Sequence, residues 1–327
     1  MKPIIGILLG DPTGIGPEVV AKVISKNNLL SYCKPIIIGD FRVLDSTLKN
    51  LGLKYPIQKI EDISQASWEN SVPILDSNYI NPLDIEMGRI SADAGRAMGK
   101  MLENAIELYN QNLINGFSFA PYNKAALDEG GVNINRLFAK SLKLEIPFGE
   151  LIMVNNLWVS RVTSHIPLKN VSNNLSINKI FNAVKLVHDT MILAGIYNPK
   201  IAVAALNPHA GDEGLFGKEE IETIRPAIEK AQSKGYNATG PYPADTLFIN
   251  ALKGLYNGIT AMYHDQCQIA VKLMNFEAAV TILAGFRCPI TTPAHGTAFD
   301  IAGKGVANPN AMEQAIIIAS RIAGWKE

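Results

Sequence analysis

The chain alternates short apolar runs of strand length with longer segments whose apolar residues recur at helical spacing. Apolar runs predict buried strands at residues 4–9, 36–40, 117–121, 201–205 and 259–263. Helical spacing predicts helices at residues 43–50, 91–110, 176–194, 218–233 and 311–323. Strand and helix alternate through almost the whole chain, without an internal repeat, and this order predicts an α/β fold.

Turn signals mark several connections between these elements. Residues 149–165 alternate in part between apolar and polar positions and are broken by Asn155-Asn156, which predicts a hairpin. Residues 240–246, GPYPADT, predict a rigid loop before a helix. Residues 51–81 carry only weak signals for short strands and turns.

Two glycine-rich segments follow or precede predicted elements. Residues 10–20, GDPTGIGPEVV, join the first strand to a helix that has Pro17 near its start and Glu18 in its first turn. Residues 262–309 end in HGTAFDIAGKGVANP, where small residues let backbone N–H groups approach a ligand. We interpret this second segment as a nucleotide-binding loop with a buried Asp300. The alternative is a plain glycine-rich connection before the last helix.

Composition narrows the class of protein. The 327 residues are 47% hydrophobic and 18% charged, which is typical of an enzyme-sized globular protein with room for two lobes. The formal net charge is zero and no run of Lys and Arg is present, so nucleic acid is not the expected partner. The first apolar run is too short to span a membrane. Three cysteines without C-x-x-C spacing favour a reduced, cytoplasmic setting.

Three of the five histidines share one context. His165, His209 and His264 each follow a predicted strand. Imidazoles that converge from strand ends are common ligands of a catalytic divalent metal with open positions for substrate oxygens. The alternative is three unrelated loop histidines. His188 lies within a predicted helix and favours a structural or surface role, and His295 belongs to the nucleotide loop.

Other polar residues at strand ends are candidates for catalysis or substrate binding. Asp245 and Asp265 can orient a metal-bound imidazole or act as a general base, although Asp245 also suits a helix cap. Lys272 and Lys124 are candidate substrate-binding cations, with a solvated surface position as the alternative. Asn123 precedes Lys124 at a strand end, a favoured ligand position in open α/β sheets. The sequence contains no G-x-S-x-G, P-loop or zinc-finger pattern.

A set of motifs resembles the 4-hydroxythreonine-4-phosphate dehydrogenase family of pyridoxal phosphate biosynthesis, in that family's order and over nearly the full length. The motifs are GDPTGIGPEVV (10–20), TSHIPL (163–168), NPHAGDEGLFGKEE (207–220), GPYPADTLF (240–248), YHDQ (263–266) and HGTAFDIAGKGVANP (295–309). The first and last are also similar to signatures of isopropylmalate dehydrogenases.

The resemblance implies a two-lobed α/β/α sandwich of the isocitrate/isopropylmalate dehydrogenase type. It implies a nucleotide-binding lobe at residues 1–125 and 283–327, and a metal-binding, substrate-binding and dimerisation lobe at 126–282. The expected assembly is a homodimer with active sites at the interface.

The resemblance also implies that His165, His209 and His264 hold one divalent ion. Zinc is expected first, with magnesium, manganese or cobalt as alternatives.

The resemblance further implies a coenzyme. Asp300-Ile301 stands where the related isopropylmalate dehydrogenases have an Asp-Ile pair, and a carboxylate there accepts hydrogen bonds from ribose hydroxyls and repels a 2′-phosphate. We therefore expect NAD rather than NADP. The remaining residues of the expected coenzyme site are Gly14, His295, Gly296 and Asn308.

The chain departs from the family at its substrate-binding positions. The family's His-Thr pair aligns with Leu137-Phe138, and its Lys-Asn-Arg set aligns with Lys272, Thr281 and Ile290, with Arg287 as a nearby substitute. Burying a phosphate against apolar side chains is unfavourable. The sequence therefore predicts that 4-phosphohydroxythreonine is not the best substrate and favours a carboxylated or aromatic-derived alcohol.

Together these features predict a metal-dependent, NAD-linked dehydrogenase that oxidises the secondary alcohol of a hydroxy acid and then releases carbon dioxide, with Asp245, Asp265 and Lys272 as catalytic residues. Dehydrogenation of a dihydrodiol dicarboxylate, as in the family's terephthalate branch, or of a threonate or erythronate 4-phosphate is an alternative. A catalytically silent, ligand-binding relative is the alternative of another class.

Overall fold

The computed structural model describes residues 2–26, 28–142 and 144–326. The chain forms two compact units. The first comprises Met1–Glu145 and Phe286–Glu327, and the second comprises Ile146–Gly285. The predicted lobe boundary at 125/126 would place the segment up to residue 145 in the second lobe, whereas the structure includes it in the first unit.

The first unit alternates strands and helices. Its strands are β1 (Ile4–Leu8), β2 (Lys34–Gly39), β3 (Ile57–Ile60), β4 (Val72–Asp76), β5 (Gly116–Phe119) and, late in the chain, β12 (Ile290–Pro293). Its helices are α1 (Gly16–Ser25), α2 (Phe41–Asn50), α3 (Ala92–Asn110), α4 (Lys124–Glu129), α5 (Ile134–Ser141) and α11 (Asn310–Ile322).

The sheet of the first unit runs in the order β3-β4-β2-β1-β5-β12, and the neighbouring strands pair in parallel. From β1 the chain builds outward on one side through β2, and it later returns to place β5 on the other side. The carboxyl ends of β1 and β5 therefore form a topological switch point, the place where open α/β sheets bind ligands. The central strands are buried nearly throughout, which explains their continuous apolar sequence.

The second unit contains the remaining elements. Its strands are β6 (Leu144–Val154), β7 (Leu157–Arg161), β8 (Ile201–Ala204), β9 (Ala238–Tyr242), β10 (Gly258–Ala261) and β11 (Val280–Phe286); most residues of β6 and β11 lie in this unit. Its helices are α6 (Val171–Asn174), α7 (Ile177–Leu193), α8 (Arg225–Ser233), α9 (Ala244–Leu252) and α10 (His264–Asn275).

The sheet of the second unit runs in the order β11-β6-β7-β10-β8-β9. β6 and β7 form an antiparallel hairpin, with Val154 opposite Leu157 across the predicted Asn155-Asn156 turn. β7, β10, β8 and β9 pair in parallel, so their carboxyl ends lie along one edge of the sheet. This edge carries the loops that contain the three histidines.

The structure confirms the α/β class and most predicted elements. Ser91 caps α3 and Ser176 caps α7 through their side-chain oxygens, as serine before an apolar helical pattern predicts. The predicted helix at 218–233 is α8 preceded by one π-helical turn, Glu220–Ile224.

Two predictions of loop structure were wrong. The first half of the supposed loop at 240–246 belongs to β9, which pairs with β8. The interpretation of 262–309 as one loop missed α10, β11 and β12. Strand pairing and helix packing decide the structure in both places. These contacts involve residues distant in sequence, so a short window of sequence does not reveal them.

A close helix contact supplies a test of the packing. A Cβ atom on Gly95 of α3 would lie 1.8 Å from the backbone oxygen of Ala126 in α4. Gly95→Ala should therefore lower the free energy of unfolding by about 1–3 kcal/mol, despite the higher helix propensity of alanine. Denaturant titration measures the change. Gly296→Ala, where no atom lies within 4 Å of the added methyl group, is the matched control. Equal stability of the two variants would contradict the predicted contact.

Candidate active site

The two glycine-rich segments meet in the first unit. The Ile15 N–H donates to the Thr297 backbone oxygen at 3.1 Å. A Cβ atom on Gly14 would lie 2.8 Å from the Thr297 Cβ, so this approach requires glycine. Burial lowers the pKa of His295, whose Nδ1 lies 3.0 Å from the Gly296 backbone oxygen. The structure thus brings predicted coenzyme residues from both segments to the carboxyl end of β1.

A partly buried ion pair binds the later part of the glycine-rich segment at residues 295–309. Glu18 of α1 accepts from the Ala307 N–H at 2.7 Å and from Lys22 Nζ at 2.8 Å. Lys22 also donates to the backbone oxygens of Gly305 and Ala307, at 2.9 and 2.7 Å. These contacts satisfy loop backbone groups with side chains from the helix. The sequence analysis assigned Glu18 to the helix dipole and missed this role.

The carboxylate predicted to be buried is exposed. Asp300 lies in a turn that is closed by a hydrogen bond from the Ile301 N–H to the Ala298 backbone oxygen at 3.0 Å. Exposure is the expected state of a carboxylate without a buried partner. The Asn308 side chain accepts from the Asn310 N–H at 2.9 Å, at the start of α11.

Buried polar groups lie at the switch point between β1 and β5. Asp11 is fully buried, and its Oδ1 accepts from the N–H and the hydroxyl of Thr13 at 2.9 and 2.8 Å. Its Oδ2 and the Tyr122 hydroxyl find no hydrogen-bond partner among the described residues. Burial raises the pKa of Asp11, and burial together with the Asp11 charge raises the pKa of Tyr122. From the sequence, Tyr122 lies with Asn123 and Lys124 at a strand end, a favoured ligand position, whereas no role was predicted for Asp11.

The residues beside Tyr122 have different environments. The Asn123 side chain accepts from the Ala126 N–H at 3.0 Å and so caps α4. The side-chain oxygen of Asn123, a candidate substrate-binding residue, is thus engaged in the helix cap. Lys124, the first residue of α4, is exposed.

The three histidines follow neighbouring strands of the second unit. His165 follows β7, His264 opens α10 directly after β10, and His209 follows β8. Since β10 lies between β7 and β8, all three loops leave the same edge. The rings of His165 and His264 have centroids 5.7 Å apart, while the His209 ring packs against Phe216.

The chemistry and spacing of these histidines indicate how well they could hold a metal ion. Two imidazoles on one tetrahedral zinc have centroids about 5 Å apart, given zinc–nitrogen bonds near 2.0–2.1 Å. The 5.7 Å between His165 and His264 fits such a pair. Within the described ranges, no group of three His, Cys, Asp or Glu side chains is close enough together to hold an ion. The three imidazoles are suitable ligands for a divalent metal. The spacing of two of them, His165 and His264, also fits a single ion.

His209 begins an unusual turn. His209, Ala210, Asp212 and Glu213 all have positive φ, between 42° and 57°, and Gly211 lies between them at 83°. A left-handed conformation costs about 1–2 kcal/mol for each non-glycine residue. Such a turn persists where surrounding contacts determine it, and strained backbone of this kind clusters at functional sites.

The two candidate aspartates differ in their contacts. Asp265 Oδ1 lies 2.6 Å from His264 Nδ1, in position to accept its proton and leave Nε2 for a ligand. Asp245 is exposed in the first turn of α9, three residues after β9. The N-cap of that helix is Pro243, so the alternative interpretation of Asp245 as the cap is wrong.

The substituted family positions face the protein interior or solvent. Ile290 in β12 is fully buried, and Phe138 in α5 is buried with its ring 5.9 Å from that of Phe286. Both side chains belong to the core of the first unit. Lys272 of α10 and Arg287 are exposed, and Thr281 of β11 is half-buried.

The fold is that of the α/β dehydrogenases. The first unit has parallel strands with glycine-rich segments at the end of β1, and the second unit has histidine loops at the carboxyl edge of its parallel strands. Across the described ranges, the helices are too short or too polar to cross a membrane.

Comparisons with known proteins narrow this class. The family described as Pyridoxal phosphate biosynthetic protein PdxA matches residues 31–319. A protein of Rhizobium meliloti (strain 1021) named "Putative 4-hydroxythreonine-4-phosphate dehydrogenase 2" is 39% identical, with 99% of this chain and 94% of that protein covered. A Clostridium botulinum (strain Hall) protein named "Putative D-threonate 4-phosphate dehydrogenase" is 34% identical, with 98% and 97% covered. The crystal structure of the Klebsiella pneumoniae 4-hydroxythreonine-4-phosphate dehydrogenase is similar at a TM-score of 0.87 and 32% identity, with 99% and 98% covered.

The chain belongs to the PdxA family. It is a dehydrogenase that acts on a CH–OH group, and oxidative decarboxylation is the reaction of the family. Membership implies a nicotinamide coenzyme and a divalent metal. The resemblance found in the sequence motifs is confirmed.

The ion pair over the coenzyme loop gives a prediction. Lys22→Met removes the cation beside Glu18, whose side chain is only 6% exposed, and should lower the free energy of unfolding by about 1–3 kcal/mol. Lys26→Met makes the same change one turn later in a more exposed pair with Glu313 and should cost under about 1 kcal/mol. Denaturant titration of both variants measures the difference. A smaller loss for Lys22→Met than for Lys26→Met would contradict the role of the pair.

Proposed function

We propose that the protein catalyses the NAD-linked, metal-dependent oxidation and decarboxylation of a phosphorylated four-carbon hydroxy acid of the D-threonate 4-phosphate type. The observation that carries this proposal is the common origin of the three histidine loops at one edge of the second sheet. Relatives at 34–39% identity carry names of dehydrogenases for phosphorylated substrates. These names favour a phosphate ester over the unphosphorylated alcohol that the sequence analysis preferred.

The choice within phosphorylated substrates rests on the departures from the biosynthetic pattern. Ile290 and Phe138 are core side chains, so neither position supplies a donor to phosphate. We assign phosphate or carboxylate binding to exposed cations, namely Lys272 with Arg287 and Lys124. Thr281 is assigned a hydroxyl contact to the same substrate.

The residues of the second unit have distinct proposed roles. His165, His209 and His264 hold the divalent ion, which, when bound, supplies Lewis acidity to the substrate hydroxyl and the neighbouring carbonyl. Asp265 orients His264 through its Nδ1. Asp245 accepts the hydroxyl proton, and Lys272 balances the negative charge of the substrate. For the ion we propose zinc, because three imidazoles are a frequent catalytic zinc set.

Coenzyme binding is assigned to the first unit. Gly14, His295 and Gly296 give backbone access to the phosphates, and the loop around Ile301 and Asn308 forms the remaining wall. The Asp300 carboxylate is exposed and is assigned to the ribose hydroxyls.

We further propose a homodimer. Ile269, Leu273 and Phe276 lie at helical spacing along and just after α10 and are 61%, 83% and 47% exposed. An apolar stripe of this kind is typical of an interface. Lys272 lies on the same helix. A site shared between two copies is consistent with the described residues of one chain, where His165 and His264 lie together but no group of three ligand side chains is found.

The proposed cellular setting is the reducing cytoplasm. Cys33, Cys267 and Cys288 are all buried free thiols. Burial raises the pKa of Cys33 to about 12 and of Cys267 to about 11, which keeps both as unreactive thiols.

The metal assignment predicts the effect of removing one imidazole. His209→Ala should lose stoichiometric metal and catalytic activity while its melting temperature changes little, because a catalytic site contributes less to folding than a structural one. Elemental analysis of dialysed protein measures the metal content. His188→Ala is the control, since His188 lies on α7 and contacts Asp189 and Tyr236. Stoichiometric metal in both His209→Ala and His264→Ala would contradict the assignment.

The coenzyme assignment predicts a preference. The wild-type kcat/KM should be higher with NAD than with NADP, and Asp300→Asn should reduce that preference by about tenfold because the repulsion of a 2′-phosphate is lost. Steady-state kinetics with both coenzymes measures the ratio. Lys304→Gln, which removes an exposed charge four residues later, is the control. Equal or better efficiency of the wild type with NADP would contradict the assignment.

The substrate assignment predicts the outcome of a screen. NADH formation should be fastest with D-threonate 4-phosphate, slower with 4-phosphohydroxythreonine, and slowest with unphosphorylated threonate or a dihydrodiol dicarboxylate. Lys272→Ala should raise KM for the phosphorylated substrate at least tenfold, because a charge-assisted contact is lost. Higher efficiency with 4-phosphohydroxythreonine or an unphosphorylated alcohol would overturn the substrate assignment but leave the dehydrogenase class intact.

A further inference from the structure

The structure assigns to Glu220 and Gln266 the role of positioning residues that hold the histidine loops of the second unit in register. This inference rests on the proposed metal site. Neither residue is placed in contact with metal or substrate. Both act through the backbone that carries His209 and His264.

Glu220 is a buried carboxylate, 1% exposed, in the π-helical turn before α8. Its Oε1 accepts from the backbone N–H groups of Leu206 and Asn207, at 2.8 Å each. Its Oε2 accepts from Asn207 Nδ2 at 2.9 Å. These residues directly precede Pro208 and His209. One carboxylate therefore fixes the entry to the left-handed turn that begins at His209.

Glu220 also lies inside that turn. A Cβ atom on Gly211 would be 2.6 Å from Glu220 Oε2, so the turn closes directly over the carboxylate. Glu219 adds a second acceptor for Asn207 Nδ2, at 2.8 Å. A buried carboxylate that accepts several N–H donors is a strong and rigid contact. The positive φ values at 209–213 are thereby determined by surroundings that include Glu220.

Gln266 links the same segment to the loop of His264. Its Nε2 donates to the Ala205 backbone oxygen at 2.7 Å, and its Oε1 accepts from the Met262 N–H at 2.7 Å. Ala205 directly precedes Leu206, whose N–H donates to Glu220. The two side chains thus bind backbone groups of three consecutive residues, Ala205, Leu206 and Asn207.

The third loop joins through Thr163. Its N–H and its hydroxyl both donate to the Met262 backbone oxygen, at 3.1 and 2.8 Å. Met262 therefore bonds to Gln266 through its N–H and to Thr163, two residues before His165, through its oxygen. The hydrogen bonds run without interruption from the His165 loop to the His264 loop and then to the His209 loop.

Residues of this kind set the geometry of a metal site, and their loss typically lowers metal affinity 10–100-fold. Glu220→Gln replaces one acceptor oxygen by a donor that faces Asn207 Nδ2, and Gln266→Met removes both bonds at similar volume. We expect the zinc dissociation constant of each variant, measured by competition with a chromophoric chelator, to rise 10–100-fold. The Co²⁺ absorption spectrum should also change. NADH affinity, which depends on the first unit, should stay within about twofold of wild type.

Matched controls separate position from chemistry. Glu222→Gln makes the same change at an exposed position of the same turn, and Gln268→Met makes the same change two residues along α10. Both should bind zinc as the wild type does. Wild-type zinc affinity in folded Glu220→Gln or in folded Gln266→Met would overturn the inference for that residue, and wild-type affinity in both would overturn it entirely.

His209→Ala in the same assay separates the proposed metal site from the proposed positioning roles of Glu220 and Gln266. Undiminished zinc binding by His209→Ala would refute the proposed metal site itself. Loss of zinc by His209→Ala, with wild-type binding by Glu220→Gln and Gln266→Met, would refute only the positioning roles.

Discussion

A polypeptide that leaves the carboxyl end of a parallel strand exposes backbone groups that need partners, and here buried side chains from nearby helical turns supply them. In the first unit Glu18 accepts from the Ala307 N–H and pairs with Lys22, which donates to the backbone oxygens of Gly305 and Ala307 in the glycine-rich segment. In the second unit Glu220 binds the N–H groups of Leu206 and Asn207. Both loops are rich in glycine and are closed in part by turn hydrogen bonds, such as Ile301 N–H to the Ala298 oxygen and Phe216 N–H to the Gly211 oxygen. The two carboxylates supply partners for the N–H groups of Ala307, Leu206 and Asn207. The conformations of the loops at the carboxyl ends of these strands therefore depend on the buried carboxylates that bind their backbone groups.

The same constraint relates the fold to the chemistry. In open α/β sheets, ligands bind at the carboxyl ends of the strands. Here helices contact the loops at these ends and hold their backbone in place. The first unit places glycine-rich backbone at the β1 end, which suits phosphate groups. The second unit places imidazoles after three adjacent strands, which suits a catalytic metal. Family membership assigns a dehydrogenase reaction to the chain.

Much of this arrangement could be predicted from the sequence because its signals are local. Ser91 before an apolar helical pattern, the Asn155-Asn156 turn and the buried apolar run of β1 each fixed an element within a few residues. β9 and α10 were missed, because a short strand containing Gly240 and Pro241 and a helix rich in polar residues depend on their neighbours in the fold.

The supporting residues of the sites were harder to predict for a physical reason. Glu220 and Gln266 act on backbone atoms 13–14 and 61 residues away along the chain, and only the folded structure brings these partners together. Asp300 shows the converse error, since a carboxylate in a glycine-rich motif was taken as buried and is exposed. Sequence motifs located the loops, while the contacts that shape the loops required the structure.

The most direct test of the central claim is anomalous X-ray diffraction from crystals of the zinc-loaded protein, recorded on both sides of the zinc absorption edge. The account predicts one strong anomalous peak per subunit, about 2.0–2.1 Å from imidazole nitrogens of His165, His209 and His264, contributed by one chain or by two. A peak bound to other residues, or no peak at these histidines in protein that oxidises its substrate with NAD, would contradict it.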